Sequence, residues 1–211
     1  MNSTAAVAVL VALHVVQSVM VVPKLWRAAS AWHLQRLAIG GLIGCPVGLF
    51  ILQRLDVRAL KLSLGVLILA FLVLFIVRGQ FASASETTPT RGWLVTLTGM
   101  ASGTLTALLV MPGPPLMVYL ASAPQSKDAS RALSLTFFAL CYVSVLALAT
   151  FRGNLGRVEW LLVATLAPAV IVGTLAGSAL AGGFSEARYR LAILTLMLLS
   201  GLGAIASAVL G

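Results

Sequence analysis

Charge is what this sequence has least of. Only 9% of its 211 residues are charged, and acids are scarcer still, five against fourteen Lys and Arg. A soluble domain carries roughly 25% charged residues because its surface must hold water. With 60% hydrophobic residues and a mean hydropathy of +1.07, this chain has to face lipid instead. Cysteine is as sparse. Cys45 and Cys141 both lie inside apolar runs, which excludes a disulfide-stapled domain and reads as small packing residues. The N-terminus lacks the basic stretch of a secretory signal, so residues 5–22 read as a retained span.

The five acids (Asp56, Glu86, Asp128, Glu159 and Glu186) stand at the edges of apolar runs or between them, as the Lys and Arg do. A charge at the bilayer centre costs about 2.5–3.5 kcal/mol on insertion scales, so charges mark the borders of spans. A membrane-embedded hydrolase needs a nucleophile with a base, or a metal cluster. No acid lies within a span and His14 is the only histidine that does, so neither an enzyme, a cofactor nor a metal site is expected. The +9 net charge, spread over short loops, suits lipid headgroups and topology signals rather than nucleic acid. The partners expected are the bilayer and a small anionic solute, and the sequence allows a homo-oligomer.

A span takes about 20 mainly apolar residues. The runs at 5–22, 34–53, 59–77, 93–122, 132–151, 160–181 and 189–210 meet that length, so the expectation is an all-α membrane protein of about seven spans. The polar stretch 79–92 divides a first half, 1–78, from a second, 93–211. Displaced by 129 residues, Gly44 falls on Gly173, Gly48 on Gly177, Leu55 on Phe184 and Lys61 on Arg190. Each copy pairs a glycine-spaced span with a charged corner, Arg54-Leu55-Asp56-Val57-Arg58 or Phe184-Ser185-Glu186-Ala187-Arg188. Two related repeats are a common transporter design. The run 93–122 has no partner in the first half.

That run is broken. After Trp93–Val110 comes Met111-Pro112-Gly113-Pro114-Pro115, which no helix crosses intact. Unwound backbone at membrane depth has to be lined by protein or water. A half-helix starting there aims a partial positive charge inward. Thr106, Pro112, Gly113, Pro114, Pro115 and Arg131 are therefore the candidate solute-binding residues. Thr98, Ser102 and Thr106 share one face as a candidate polar path, and His14 with Gln17 and Ser18 could carry protons. Against this, intramembrane Ser and Thr commonly bond their own helix carbonyls, His14 suits a helix–helix hydrogen bond, and Arg131 suits a snorkelling anchor.

Three segments together resemble the sulfite exporter TauE/SafE family. They are the glycine-rich helix leading into Gly113-Pro114-Pro115-Leu116 and then Arg131-Ala132, the stretch Gly40–Gly48 ending in Arg54-Leu55-Asp56, and Gly173 with Gly177 followed by Phe184–Arg190. The resemblance implies a multi-pass inner (cytoplasmic) membrane protein of two four-helix repeats that moves sulfur oxyanions or organosulfonates. It departs from the family in two ways. Val110 and Pro112 stand where glycines are usual, and the family's first glycine-rich span has no counterpart here. The alternative is a membrane helper subunit without transport. If all seven runs cross the membrane, Lys and Arg divide seven to seven between its faces; if 93–122 turns back at its break, they divide nine to five, with the 23–33 loop inside.

Overall fold

The computed structural model describes residues 3–24, 26–80, 91–120, 126–153, 155–181 and 186–210. Every regular element among them is helical: α1 (Ser3–Val21), α2 (Ala31–Leu52), α3 (Val57–Gln80), α4 (Gly92–Leu109), α5 (Gly113–Leu120), α6 (Lys127–Phe151), α7 (Arg157–Ala181) and α8 (Glu186–Leu210). Among the described residues five stretches are long and apolar enough to cross a membrane, namely Thr4–Val21, Ala31–Leu52, Gly92–Leu109, Asp128–Phe151 and Arg157–Gly177. Helix α8 adds a shorter apolar stretch, Leu194–Val209. Most of the 79–92 connection and the Phe184-Ser185 part of the second corner lie outside the described residues.

The acids have structural work at helix starts. Asp56 Oδ1 accepts the Ala59 N–H at 2.6 Å ahead of α3, and Glu159 Oε2 accepts the Gly156 N–H at 2.9 Å at the start of α7. Each satisfies a donor that a helix N-terminus leaves open.

Two compact units result. The first takes Met1–Arg54 and Glu86–Val172, the second Leu55–Ser85 and Gly173–Gly211. In the second, α3 and α8 run antiparallel, with Gly201 against Ile68 and Leu69 and the Lys61 ammonium donating to the Ser207 carbonyl at 3.1 Å.

In the first unit, glycine decides how closely helices approach. A Cβ on Gly99 would strike the Leu37 backbone, and one on Gly103 would lie 2.9 Å from Gly41 Cα. On the facing helix, Gly40 and Gly44 press on the Thr96–Met100 backbone, and Gly48 on Thr104 and Ala107. Backbone meets backbone along three turns, the close fit by which small residues join helices in lipid. Thr104 adds a hydroxyl shared between the Met100 carbonyl at 2.9 Å and the Gly44 carbonyl at 3.2 Å.

These pairs advance together along both helices, 37 with 99, 41 with 103 and 48 with 104, so α2 and α4 are parallel. Helix α6 runs the same way: a Cβ on Gly41 would meet Phe137 and Cys141, and the Cys45 thiol donates to the Cys141 carbonyl at 3.9 Å. Helix α1 opposes them, with His14 on Tyr142 and the Val9–Leu13 cluster beside Leu146. Since α4 and α6 point the same way, the chain between them has to turn back. Helix α5 does so, bringing Tyr119 to 6.3 Å from His33 at the start of α2. Residues 92–120 form a hairpin that begins and ends at one end of the unit.

Candidate functional site

The tip of the hairpin is the proline break. Helix α4 closes at Leu109, and Val110 turns left-handed with φ 57° and ψ 28°. For a β-branched residue this is strained, costing roughly 1–2 kcal/mol. The turn consumes the last carbonyls of α4, because the Val110 N–H donates to the Thr106 carbonyl at 2.9 Å and the Met111 N–H to the Leu105 carbonyl at 3.4 Å. Pro112 and Pro114 are buried; Met111, Gly113 and Pro115 are half-buried.

A helix N-terminus normally leaves four N–H groups open, from the capping residue through the third helical position. For α5 those positions are Pro112, Gly113, Pro114 and Pro115. Three have no N–H to leave open. The prolines let a helix begin inside the unit with almost no donor to satisfy, and the Gly113 N–H is the one that remains. The break thus offers one N–H alongside the partial positive charge of a two-turn helix. Gly113 is not crowded. A Cβ there would sit 3.7 Å from the Phe138 ring, an ordinary contact.

The other candidates sort into three groups. Thr106 is wholly buried and close to the break, but its hydroxyl donates back to the Ser102 carbonyl at 2.7 Å; Thr98 does the same to Leu94 at 2.9 Å. Ser102 differs: its Oγ is buried with no partner among the described residues. A hydroxyl deprived of water costs about 1–3 kcal/mol unless something bonds it. Arg131 is exposed and lies seven residues before Phe138, roughly 10 Å along α6 from the level of Gly113. It belongs to the end where the hairpin begins, not to its tip. In α1, Gln17 is exposed, and the half-buried His14 stacks on Tyr142 at 4.8 Å with Nδ1 bonded to the Leu10 carbonyl at 2.8 Å.

Sequence reasoning missed His33. Its Nδ1 is 2.9 Å from Ser30 Oγ, its ring lies between Trp32 and Tyr119, and Nε2 is buried without a partner among the described residues. The signal for this was the Ser30-x-x-His33 spacing at a helix start. The two cysteines meet as packing residues, with the Cys141 thiol beside both Cys45 and Thr106. A cavity of about 50 Å³ between α2 and α6 has Cys141 and Phe137 in its wall, and an open groove of about 320 Å³ lies along α7 between Arg157 and Thr165. Neither is lined by the break. Among the described residues no cluster of His, Cys, Asp or Glu could hold a metal.

No curated protein and no solved structure matches the chain. A family does: the model for sulfite exporter TauE/SafE covers residues 1–204. Members of that family are membrane transporters rather than enzymes, and the apolar, membrane-length helices of this chain fit a multi-pass membrane protein. This protein belongs to the TauE/SafE family.

Proposed function

We propose that the protein carries a small sulfur oxyanion, sulfite or an organosulfonate, across the inner membrane, with the hairpin 92–120 as its binding element. The observation that carries this is the parallel course of α2, α4 and α6, which makes 92–120 a re-entrant loop with its unwound tip buried in the unit. Re-entrant backbone in lipid is tolerated where it is covered by protein or lines a solute path. Within the first unit, Lys24, Arg27, Arg36, Arg91, Lys127 and Arg131 lie toward the end where the hairpin starts, against Arg54, Arg152 and Arg157 at the other. The positive-inside rule then puts the hairpin's open end in the cytoplasm. In this reading the Gly113 N–H at the tip and the Ser102 hydroxyl, buried in α4 without a partner among the described residues, are the donors offered to the anion, and neither asks for a buried cation. With the acids among the described residues all at helix starts, the coupling mode that fits best is an anion moving down its own gradient.

The test is sulfite flux in vesicles reconstituted at matched protein levels. Gly113→Ala keeps the N–H and has room for its methyl, so it should transport normally. Gly113→Pro removes that N–H at a helical position that favours proline, and should cut flux by at least about tenfold, the value of a hydrogen bond to a charged partner. Arg131→Gln should leave flux within about twofold, as for an exposed interfacial residue. Equal flux in Gly113→Ala and Gly113→Pro would remove the break from the binding site.

A further inference from the structure

The end of the first unit where α2 and α4 begin carries a surface that solute binding at the hairpin tip does not use. Arg36 stacks over the Trp32 ring at 5.8 Å, one turn along α2. Both lean across the start of α4, where a Cβ at Gly92 would stand 3.4 Å from Arg36 Cζ and 3.5 Å from Trp32 Cζ2, in ordinary contact with both. Arg91, the residue before Gly92, is exposed, so a second arginine belongs to this end of the unit. The first turns of α2 and α4 hold no acid, and Asp128 is the one acid among the described residues of that end.

A guanidinium stacked on an indole keeps its N–H edge free, in the fork geometry that suits a phosphate. Tryptophan meanwhile prefers the headgroup level of a bilayer. Along the same face of α2, beyond Arg36, run Ile39 and Ile43, 52% and 51% exposed. The surface therefore has two parts in sequence, an arginine-bearing end and then an apolar track running into the membrane. Free phosphate would use only the first. A lipid with a charged headgroup and acyl chains would use both.

We propose that Trp32, Arg36 and Arg91 bind the headgroup phosphate of an anionic phospholipid whose chains lie along Ile39 and Ile43. The occupied lipid braces the α2–α4 seam at the hairpin's open end. Its phosphate draws on two nearby guanidiniums, each strengthening anionic-lipid attachment roughly fivefold, so losing both should weaken it roughly thirtyfold.

The experiment measures phospholipid retained by the purified full-length protein, by native mass spectrometry, after exchange into phosphatidylcholine with added phosphatidylglycerol. Wild type should retain phosphatidylglycerol in preference to phosphatidylcholine. The Arg36→Gln/Arg91→Gln variant should lose roughly thirtyfold of that preference, while Arg152→Gln at the opposite end should keep it. Should the glutamine variant fail to fold, Arg36→Lys/Arg91→Lys retains charge but not the stacked fork, and an intermediate preference is expected. Inorganic phosphate at millimolar concentration should not displace the lipid. Displacement by phosphate would overturn the proposal in favour of a soluble-anion site. Undiminished preference in the glutamine or lysine variant, or no preference in wild type, would overturn it outright.

Discussion

Helices α2 and α7 carry the same glycine spacing at a 129-residue offset, yet among the described residues only α2 packs another helix against it. In α2, Gly40, Gly44 and Gly48 are pressed against the backbone of α4, and 39% of its membrane-length stretch is buried. In α7, a Cβ on Gly173 or Gly177 would meet nothing within 4 Å among the described residues, and 6% of its stretch is buried. Identical spacing thus licenses close packing without causing it. In lipid there is no hydrophobic drive to bring two helices together, so a small-residue stripe becomes an interface only when a matching surface is presented. Helix α4 presents one to α2 because Gly99 and Gly103 alternate with its ridges.

The largest expected effect tests this contrast directly. Gly44→Leu or Gly99→Leu should destabilise the protein by about 3 kcal/mol or prevent assembly, since the added side chain meets backbone that cannot move aside. Gly173→Leu and Gly177→Leu should stay within about 0.5 kcal/mol of wild type. Unfolding in mixed micelles, followed by tryptophan fluorescence, compares the four variants. Equal losses in both pairs would mean that α7 is covered in the membrane as tightly as α2.

A smaller effect lies at the turn that ends α4. Val110→Gly should stabilise by about 1 kcal/mol, the relief of left-handed strain less the added entropy of an unfolded glycine, visible as a raised melting temperature. A loss of stability would mean that packing of the Val110 side chain outweighs its backbone strain. Ser102→Ala should stabilise by about 1 kcal/mol, since it removes a buried hydroxyl that has no partner among the described residues. The same variant should lower sulfite flux several-fold; unchanged flux would make Ser102 a silent core residue. The smallest effect belongs to α1. His14→Phe preserves the stacking on Tyr142 and should alter neither stability by more than about 1 kcal/mol nor the pH dependence of flux. A shifted pH profile would restore His14 as a proton carrier.

Much of the local structure was legible. The proline run fixed where 93–122 breaks, because missing donors and ring clashes act on the helix that contains them, and the break indeed separates α4 from α5. The shared face of Thr98, Ser102 and Thr106 was legible too, although two of the three hydroxyls turned back onto their own helix. Arg131 illustrates the limit. Following the break in sequence suggested proximity, whereas the return of α5 sets Arg131 two helical turns away along α6.

By itself, then, the sequence determined that the chain is helical and lipid-embedded, where its helices stop and which faces are small enough for close contact. Those properties follow from hydropathy, missing N–H groups and side-chain size, all local. Tertiary structure alone decided that α2, α4 and α6 run parallel, that 92–120 therefore doubles back, and that the glycine stripe of α2 is filled by the backbone of α4. Direction and partnership depend on which surfaces meet, and a one-dimensional pattern gives each helix the same face whichever way its neighbour points.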